Sequence, residues 1–378
     1  MALISPRTID LKTGHAQLAL QKHIAGCARA IRRVIWHMRL RDYVIRRLLL
    51  AIPVVIGVLA ITFVLAYVMG DPVGIYTQER TSPEAVEAIR RAHGLDRPLY
   101  EQFFFYLRDL ASGDWGYSVS ARLPVTQVIA TRLPATIELS LFAIVFAIAL
   151  GIPLGILSAT KKDRWPDHVT RVVALAGVSM PIFWFALMLK YVFFFQFYMA
   201  GLPALPEGGR YTFTVLPYTP ITGFLLIDSI ITLNPVLFMD GLVHLILPGF
   251  ALGYLTLAII TRMMRSSMLE VLKEDYITLA RSKGLRERVV IYRHALRNAM
   301  IPTVTVIGLA FGGLMSGAVL TETIFSWPGL GRWSTRAILN SDIPSINAFT
   351  LLVAFIFVGA NLVVDLVYGA LDPRIRYG

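Results

Sequence analysis

Six long apolar stretches recur along the chain, and each is free of charged residues or nearly so. They occupy residues 48–70, 139–160, 172–198, 241–261, 298–321 and 343–364, and only the third contains a charge, Lys190. A bilayer core of about 30 Å is crossed by roughly 20 helical residues. The pattern therefore predicts six membrane-spanning helices.

A seventh apolar region, residues 211–239, is interrupted by three prolines and one aspartate. Residues 1–47 carry ten Lys/Arg and two acidic residues, and residues 262–297 carry nine and four. Segments this basic are expected on the cytoplasmic side, which requires an even number of crossings between them. We therefore interpret 211–239 as part of an extracytoplasmic loop with short or re-entrant helices.

The remaining charges agree with this topology. The four segments expected inside hold 25 basic and 9 acidic residues, whereas the three expected outside hold 10 and 12. Both termini are predicted to be cytoplasmic.

Composition supports an integral membrane protein. Of 378 residues, 56% are hydrophobic and 16% are charged, against about 25% charged in soluble domains. These values argue against a soluble enzyme, a disordered hub and a fibrous repeat. The single cysteine, Cys27, excludes a disulfide framework. The net charge of +12 is explained by basic cytoplasmic loops, so no nucleic-acid partner is predicted.

The segment before the first span has its own pattern. Apolar residues recur at helical spacing between Ile24 and Met38, flanked by arginines, and no signal-peptide cleavage site follows. This indicates a basic amphipathic helix that lies either on the inner membrane surface or against a partner subunit.

Residues that would indicate catalysis are missing from the sequence. It contains no phosphate-binding loop, no His-Glu-x-x-His motif and no nucleophile–base pair, so we predict no catalytic residue, metal site or cofactor. Five polar residues lie close to the predicted spans, and we interpret them as interfacial or as paired between helices. They are Glu138, Lys190, His244, Glu322 and Asp365.

The basic loop 262–297 is the most informative segment. Ser267 and Glu270 have the spacing of a capping box, which predicts a helix beginning there. Gly284 is expected to end it after Lys283, since glycine adopts the left-handed cap freely. A second helical stretch over 286–300 should merge with the fifth span, so the loop would form a compact knob that a soluble partner can grip.

The knob carries a specific motif. Residues 275–285 (DYITLARSKGL) and 293–302 (RHALRNAMIP) resemble the EAA loop of binding-protein-dependent ABC importer permeases, in the form found in the dipeptide/oligopeptide family. Thr278 and Leu279 replace the first two residues of the wider family's Glu-Ala-Ala, whereas Ala280 and Gly284 are kept. Further landmarks of that family follow in order: 70–72 (GDP), 94–100 (GLDRPLY), 113–116 (GDWG), 132–136 (RLPAT), 327–331 (WPGLG) and 371–377 (LDPRIRY).

The resemblance implies an all-α type I ABC importer permease in the inner (cytoplasmic) membrane. The expected organisation is a cytoplasmic extension (1–42), a first span (43–70), an extracytoplasmic segment (71–135), a permease core (136–370) and a cytoplasmic tail (371–378). Within the core, the spans lie near 137–160, 172–198, 241–263, 298–322 and 343–368, with an extracytoplasmic loop at 199–240 and a coupling loop at 264–297.

The resemblance also implies partners: a second homologous permease, one or two ATP-binding subunits that hydrolyse ATP, and an extracytoplasmic solute-binding protein, with lipid around the spans. The helix that ends at Gly284 would be the coupling helix that sits in a groove of the ATPase. The implied coupling residues are Asp275, Tyr276, Ala280, Arg281, Lys283, Gly284 and Leu285, and nearby basic residues would pair with acidic rims.

Small residues in the fifth span suggest close helix contacts. Gly308/Gly312 and Gly313/Gly317 have Gly-x-x-x-Gly spacing, which lets helices approach closely, either between two permeases around a pore or within this chain. Pro153 and Pro181 either kink the second and third spans where a gate must flex or are simply tolerated there.

Peptides are the solute that the resemblance favours. Oligosaccharides, glutathione and nickel chelates are the alternatives within the same machinery. A secondary transporter is disfavoured because the sequence shows no mid-bilayer charge or internal repeat. A membrane-embedded enzyme is disfavoured because it would need a catalytic constellation. An ABC exporter is disfavoured because it usually fuses its ATPase or lacks the glycine-centred loop.

Overall fold

The computed structural model describes residues 40–64, 82–92, 96–212 and 218–371, and it is almost entirely helical. The predicted amphipathic helix, the Gly70-Asp71-Pro72 landmark and the tail after Leu371 lie outside these residues. The elements are α1 (Leu40–Phe63), α2 (Pro83–Ala92), α3 (Leu99–Ala111), β1 (Tyr117–Ser118), β2 (Leu123–Pro124), α4 (Val125–Thr160), α5 (Trp165–Ser179), α6 (Ile182–Lys190), a π-helical turn π1 (Tyr191–Gln196), α7 (Phe197–Met199), α8 (Leu225–Ile231), α9 (Pro235–Val271), α10 (Asp275–Ser282), α11 (Glu287–Val289), a second π-helical turn π2 (Val290–Ala295), α12 (Leu296–Ile324), α13 (Leu330–Leu339) and α14 (Ile343–Leu371).

Six helical segments among the described residues are long and apolar enough to cross a membrane, which confirms the predicted number. They are Ile45–Phe63, Val125–Thr160, Ile182–Met199, Pro235–Val271, Glu287–Met315 and Ile343–Val363. Several exceed the apolar stretches that predicted them, because helices continue past the bilayer core into the loops.

The long helices α4 and α9 form the centre of the bundle and run parallel. Glycines bring them together: a Cβ on Gly155 would lie 2.7 Å from the Cβ of Met264, and a Cβ on Gly253 would lie 2.7 Å from the carbonyl oxygen of Ala143. Gly249 likewise lies directly against the ring of Phe142. These close contacts bury Leu257 and Ile260 of α9 against α4.

The third span predicted over 172–198 is divided into two helices. Helix α5 ends at Ser179, and Met180 has an extended backbone (φ −84°, ψ 132°) before Pro181, because a residue that precedes proline is pushed out of the helical region. Gly177 of α5 and Phe185 of α6 both pack against Tyr254 of α9, so the two halves lie along the same helix on either side of the break. The segment Ile182–Met199 is by itself long and apolar enough to cross a membrane. Pro153, in contrast, lies within the uninterrupted α4.

The predicted helix start at Ser267 is also wrong. Ser267 is buried within α9, which continues to Val271, and the next helix begins at Asp275. The packing of Met264 and Met268 in the core extends α9 past the local capping signal.

The segment 199–240 contains the short helix α8 and no span among its described residues, as predicted. Two buried carboxylates, those of Glu138 and Asp228, stabilise the conformation of this segment. Arg210 donates to Glu138 of α4 through Nη2 and Nε, at 2.6 and 2.8 Å. Asp228 accepts from the Tyr218 hydroxyl at 2.6 Å. Burial alone would raise the pKa of Asp228, but hydrogen bonds from Thr222 and Tyr218 outweigh it and lower the pKa below the ordinary value.

The end of the bundle at which α4 begins carries the two-stranded hairpin β1–β2, so we call it the hairpin end. Asp342, buried just before α14, accepts from the Ser118 hydroxyl at 2.9 Å and from the Ser345 hydroxyl at 2.7 Å. The Trp327 indole donates to the carbonyl of Ala135 at 2.9 Å. The first two bonds join the hairpin to the start of α14, and the third joins α4 to the segment that follows α12.

The contact between α4 and α9 predicts the effect of one added methyl group. Gly253→Ala should lower the thermal unfolding midpoint in detergent, because its Cβ meets a backbone oxygen that cannot move aside, and overpacking of this kind costs about 1–3 kcal/mol. Gly57→Ala in α1 is the matched control, since a Cβ there meets nothing within 4 Å. Both changes raise helix propensity by about 1 kcal/mol, so their difference isolates the clash. Equal midpoints would contradict the prediction.

Candidate functional site

The loop between α9 and α12 (residues 272–295, the α9–α12 loop) is attached firmly to the bundle. Its helix α10 turns Ile277 and Ala280 inward, and Ile277 is fully buried. The cluster around them comes from the ends of three long helices and from π2. Its other buried members are Ile156, Ala159, Met264, Met268, Val290, Ala295 and Ala299. Any movement of α10 must therefore be shared by α4, α9 and α12.

Ala280 is the one residue of the predicted coupling set whose side chain is buried. It packs within the bundle, where its small side chain lets α10 lie close to the span ends. The alanine of the motif, Ala280, therefore contributes to packing inside the protein and not to the exposed surface of α10.

The outward side of α10 is exposed and partly apolar. Leu279 is 56% exposed, and Tyr276 and Leu285 are each more than one-third exposed. Asp275, Arg281 and Lys283 are exposed beside them. An apolar centre ringed by charges is the usual composition of a protein–protein contact.

Gly284 ends the helix as the sequence predicts. Its φ is +74°, in the left-handed region, and its N–H donates to the carbonyl of Arg281 at 2.9 Å. A Cβ would meet nothing within 4 Å, so the glycine is required by the backbone conformation and not by lack of space.

An ion pair spans the glycine corner. Arg281 donates to Glu287 through Nη2 at 2.8 Å and through Nε at 3.2 Å. The bond to Glu287 raises the pKa of Arg281. Arg281 therefore has an acidic partner in its own chain and links α10 to α11, whereas Lys283 and Arg286 remain exposed on the outer surface.

A second link runs from α10 to the following span. The Asn298 side-chain amide donates to the Tyr276 hydroxyl at 2.7 Å. Between them the chain passes through π2, in which the helix accommodates an extra residue. The loop is therefore fastened to α12 by a side-chain bond as well as by the chain.

A buried aspartate, missed by the sequence reasoning, fixes the base of α9 above this loop. Asp167 of α5 accepts from Arg265 through Nε and Nη2 at 2.8 and 2.9 Å, and from the Ser158 hydroxyl at 2.6 Å. The bond to Arg265 holds the pKa of Asp167 well below its usual range despite complete burial. The only sequence signal was an acidic residue in the first turn of a helix, which is common.

Sequence comparison now adds to this geometry. Residues 151–377 match the family described as "Binding-protein-dependent transport system inner membrane component", and residues 40–140 match the N-terminal component of the same systems. The chain belongs to this family. It is an inner-membrane permease subunit of a binding-protein-dependent ABC importer.

Several relatives are similar over nearly their whole length. The dipeptide transport system permease protein DppB of Alkalihalophilus pseudofirmus is 47% identical over 339 residues, covering 89% of this chain and 99% of the relative. DppB of Escherichia coli K12 is 46% identical over 340 residues, with the same coverage. The glutathione transport system permease protein GsiC of Escherichia coli O1:K1 is 36% identical over 337 residues, again covering 89% and 99%.

The glycines predicted to pack in the fifth span have different surroundings in the permease. A Cβ on Gly312 would lie 3.3 Å from the ring of Phe357, so this glycine faces α14 of the same chain. A Cβ on Gly313 would meet no atom within 4 Å, and Gly313 lies on the exposed side of α12. Gly308 is half-buried, and the surroundings of Gly317 lie outside the described side chains.

The contact between Asp167 and Arg265 predicts a pH-dependent stability. Arg265→Met should destabilise the permease by about 3–5 kcal/mol at pH 7.5, because it leaves a buried carboxylate without its main cation. Burial would then raise the pKa of Asp167 above its unfolded value. Acidification to pH 5.5 should protonate the Asp167 carboxyl of the variant. The difference in unfolding free energy between the variant and the unaltered chain should then become smaller, because Asp167 of the unaltered chain stays ionised until well below pH 4.

The matched control is Arg171→Met. Arg171 lies 3.6 Å from the same carboxylate but is 46% exposed, so its removal should cost less than about 1 kcal/mol. Unfolding midpoints at both pH values measure the two effects. Equal loss from both variants at pH 7.5, or a deficit for Arg265→Met that widens on acidification, would contradict the assignment.

Proposed function

We propose that this permease imports peptides, with dipeptides as the preferred solute, and that it forms the translocation path together with a second homologous permease. ATP would be hydrolysed by separate subunits, and an extracytoplasmic binding protein would deliver the solute. The support is the identity of 46–47% with permeases named for dipeptide transport, against 36% with one named for glutathione.

The orientation follows from charge. The α9–α12 loop belongs to the strongly basic segment 262–297, so we place it and both termini in the cytoplasm, and the hairpin end outside. The proposed organisation is a cytoplasmic extension (1–42), a first span (43–70), an extracytoplasmic segment (71–135), a permease core (136–370) and a cytoplasmic tail (371–378).

We assign α10 as the element that contacts the ATPase. The observation that carries this is its two-sided character: Ile277 and Ala280 are locked into the ends of α4, α9 and α12, while Leu279, Tyr276 and Leu285 face outward. A rigid element with this arrangement passes a push from a soluble partner to three long helices at once. Asp275, Lys283 and the Gly284 corner complete the contact surface.

The proposed contact is tested by a charge at its apolar centre. Leu279→Glu should reduce co-purification of the ATPase subunits with the tagged permease by at least about tenfold, because apolar residues at the centre of an interface supply much of its binding energy. The unfolding midpoint should not change, since the side chain is exposed.

Leu202→Glu is the control, because Leu202 is 54% exposed and follows α7, at the hairpin end of the third span. It should retain the ATPase subunits. Undiminished recovery with Leu279→Glu would exclude α10 as the main contact.

The solute is tested separately by competition. Uptake of a labelled dipeptide by cells that express the whole system should fall with excess unlabelled dipeptides of varied side chains. The same excess of glutathione should compete weakly. Stronger competition by glutathione than by dipeptides would favour the glutathione alternative instead.

A further inference from the structure

Three arginines meet at the hairpin end, on elements that pack beside the outer end of the fifth span. Arg132 lies on α4, and Arg332 and Arg336 lie one turn apart on α13. Arg132 is within electrostatic range of both of the others. Of the three, the sequence singles out Arg132 alone, as the first residue of the RLPAT landmark.

A buried carboxylate brings them together. Glu322 of α12 is fully buried, and it accepts from the Thr136 hydroxyl at 2.7 Å and from the backbone N–H of Arg332 at 3.0 Å. Thr136 lies one turn after Arg132 on α4, and its hydroxyl also accepts from the N–H of Leu330 at 2.8 Å. Gly329 leaves room for the carboxylate, since a Cβ there would overlap it. This junction clamps the first turn of α13 against α4.

The cluster carries more positive charge than its surroundings neutralise. Within the part of the chain that the structure describes, none of the three arginines lies within 4 Å of a carboxylate. The Arg332 guanidinium donates to the carbonyl of Ser326 at 2.7 Å, which leaves most of its donors available. Glu322 offers a single negative charge, and its oxygens are already occupied by neutral donors.

Partial burial makes this arrangement costly without an anion. Arg132 and Arg332 are half-buried and Arg336 is exposed, so the cluster opens to the outside on one side. Burial and the neighbouring Arg336 lower the pKa of Arg332, which shows that the charges oppose one another. An incoming carboxylate would relieve this repulsion, and guanidinium groups bind carboxylates with paired hydrogen bonds.

The position relative to α12 indicates which carboxylate. One side of α12 is exposed among the described residues, at Leu309, Leu320 and Thr323. The Thr323 hydroxyl lies 3.4 Å from the hydroxyl of Thr335, which is on α13 between Arg332 and Arg336. The exposed side of the fifth span therefore ends at the arginines. In a transporter whose path runs between two permeases, this side faces the path or the second permease.

We propose that Arg132, Arg332 and Arg336 form a binding site for the terminal carboxylate of the peptide, at the extracytoplasmic mouth of the path. The inference rests on the proposed function. Every linear peptide carries this group whatever its side chains, so the site retains the solute released by the binding protein without restricting its sequence. Retention favours passage into the path over escape to the outside.

The test uses the complete transporter, with both permeases and its ATPase subunits, in proteoliposomes supplied with its binding protein and a labelled dipeptide. The double variant Arg132→Gln/Arg336→Gln should lower the amount of peptide taken up per ATP hydrolysed by about tenfold, as expected for loss of a charged hydrogen-bonded contact. The concentration of binding protein that half-maximally stimulates ATP hydrolysis should stay within about twofold.

Two further variants sharpen the result. Arg132→Lys/Arg336→Lys keeps the charge and should recover a large part of the uptake per ATP. Arg122→Gln removes one exposed positive charge between the hairpin strands, which is not among the charges that act on Arg132 or Arg332, and it should behave as the unaltered transporter.

Three outcomes would overturn the proposal. A raised half-maximal concentration of binding protein with unchanged uptake per ATP would mean that the arginines dock an acidic group of the binding protein. No change in either quantity would mean that they hold no ligand. Loss in the lysine variant equal to that in the glutamine variant, together with lowered unfolding midpoints in both variants, would mean a purely structural role. Failure of the unaltered transporter to take up any dipeptide would refute the proposed function. Uptake by the unaltered transporter is therefore measured before any variant is tested.

Discussion

The close approach of α4 and α9 is the contact on which the other parts of the structure depend. Gly155 and Gly253 let the two helices touch along their length, and no side chain larger than hydrogen fits at either position. Because the helices run parallel, the same pair supports both ends of the molecule. At one end α9 leads into α10, and at the other α4 carries Glu138 and Thr136. A rigid central pair of this kind links movements of the α9–α12 loop to movements at the hairpin end.

The polar groups at the two ends serve opposite purposes. Asp167, Glu138 and Asp342 are buried carboxylates whose oxygens are satisfied by donors from neighbouring elements, so each joins two or more helices. Such groups are expensive in the bilayer and are tolerated when paired near its edges. The arginines around Glu322 differ because their positive charge exceeds the negative charge that the described residues place beside them. The junction at Glu322 therefore fixes α13 against α4 and, in doing so, holds the three arginines close together.

Much of the fold and part of the site were predictable from local patterns. The six spans follow from runs of apolar residues, and the end of α10 follows from Gly284, whose positive φ few other residues adopt. The error at Ser267 arose because a capping box is a weak preference, which the burial of Met264 and Met268 outweighs. The interruption of the third span was not decided by the sequence, because a proline such as Pro181 in an apolar run is compatible with a kink and with a break. Asp167 was not singled out by the sequence because its main partner lies 98 residues away, and Glu322 was named there without its partner Thr136, which lies 186 residues away.

The sequence by itself determined the class of the protein, the number of spans, the basic loop and the family motif, because each depends on composition or on neighbours along the chain. Only the tertiary structure decided which side of each helix is used. It turned Ala280 inward and Leu279 outward, placed Gly312 against Phe357, paired Arg281 with Glu287, and gathered Arg132, Arg332 and Arg336 around one carboxylate. The physical reason is that burial and electrostatic pairing depend on distances in space between residues far apart in the chain, and no local pattern encodes those distances.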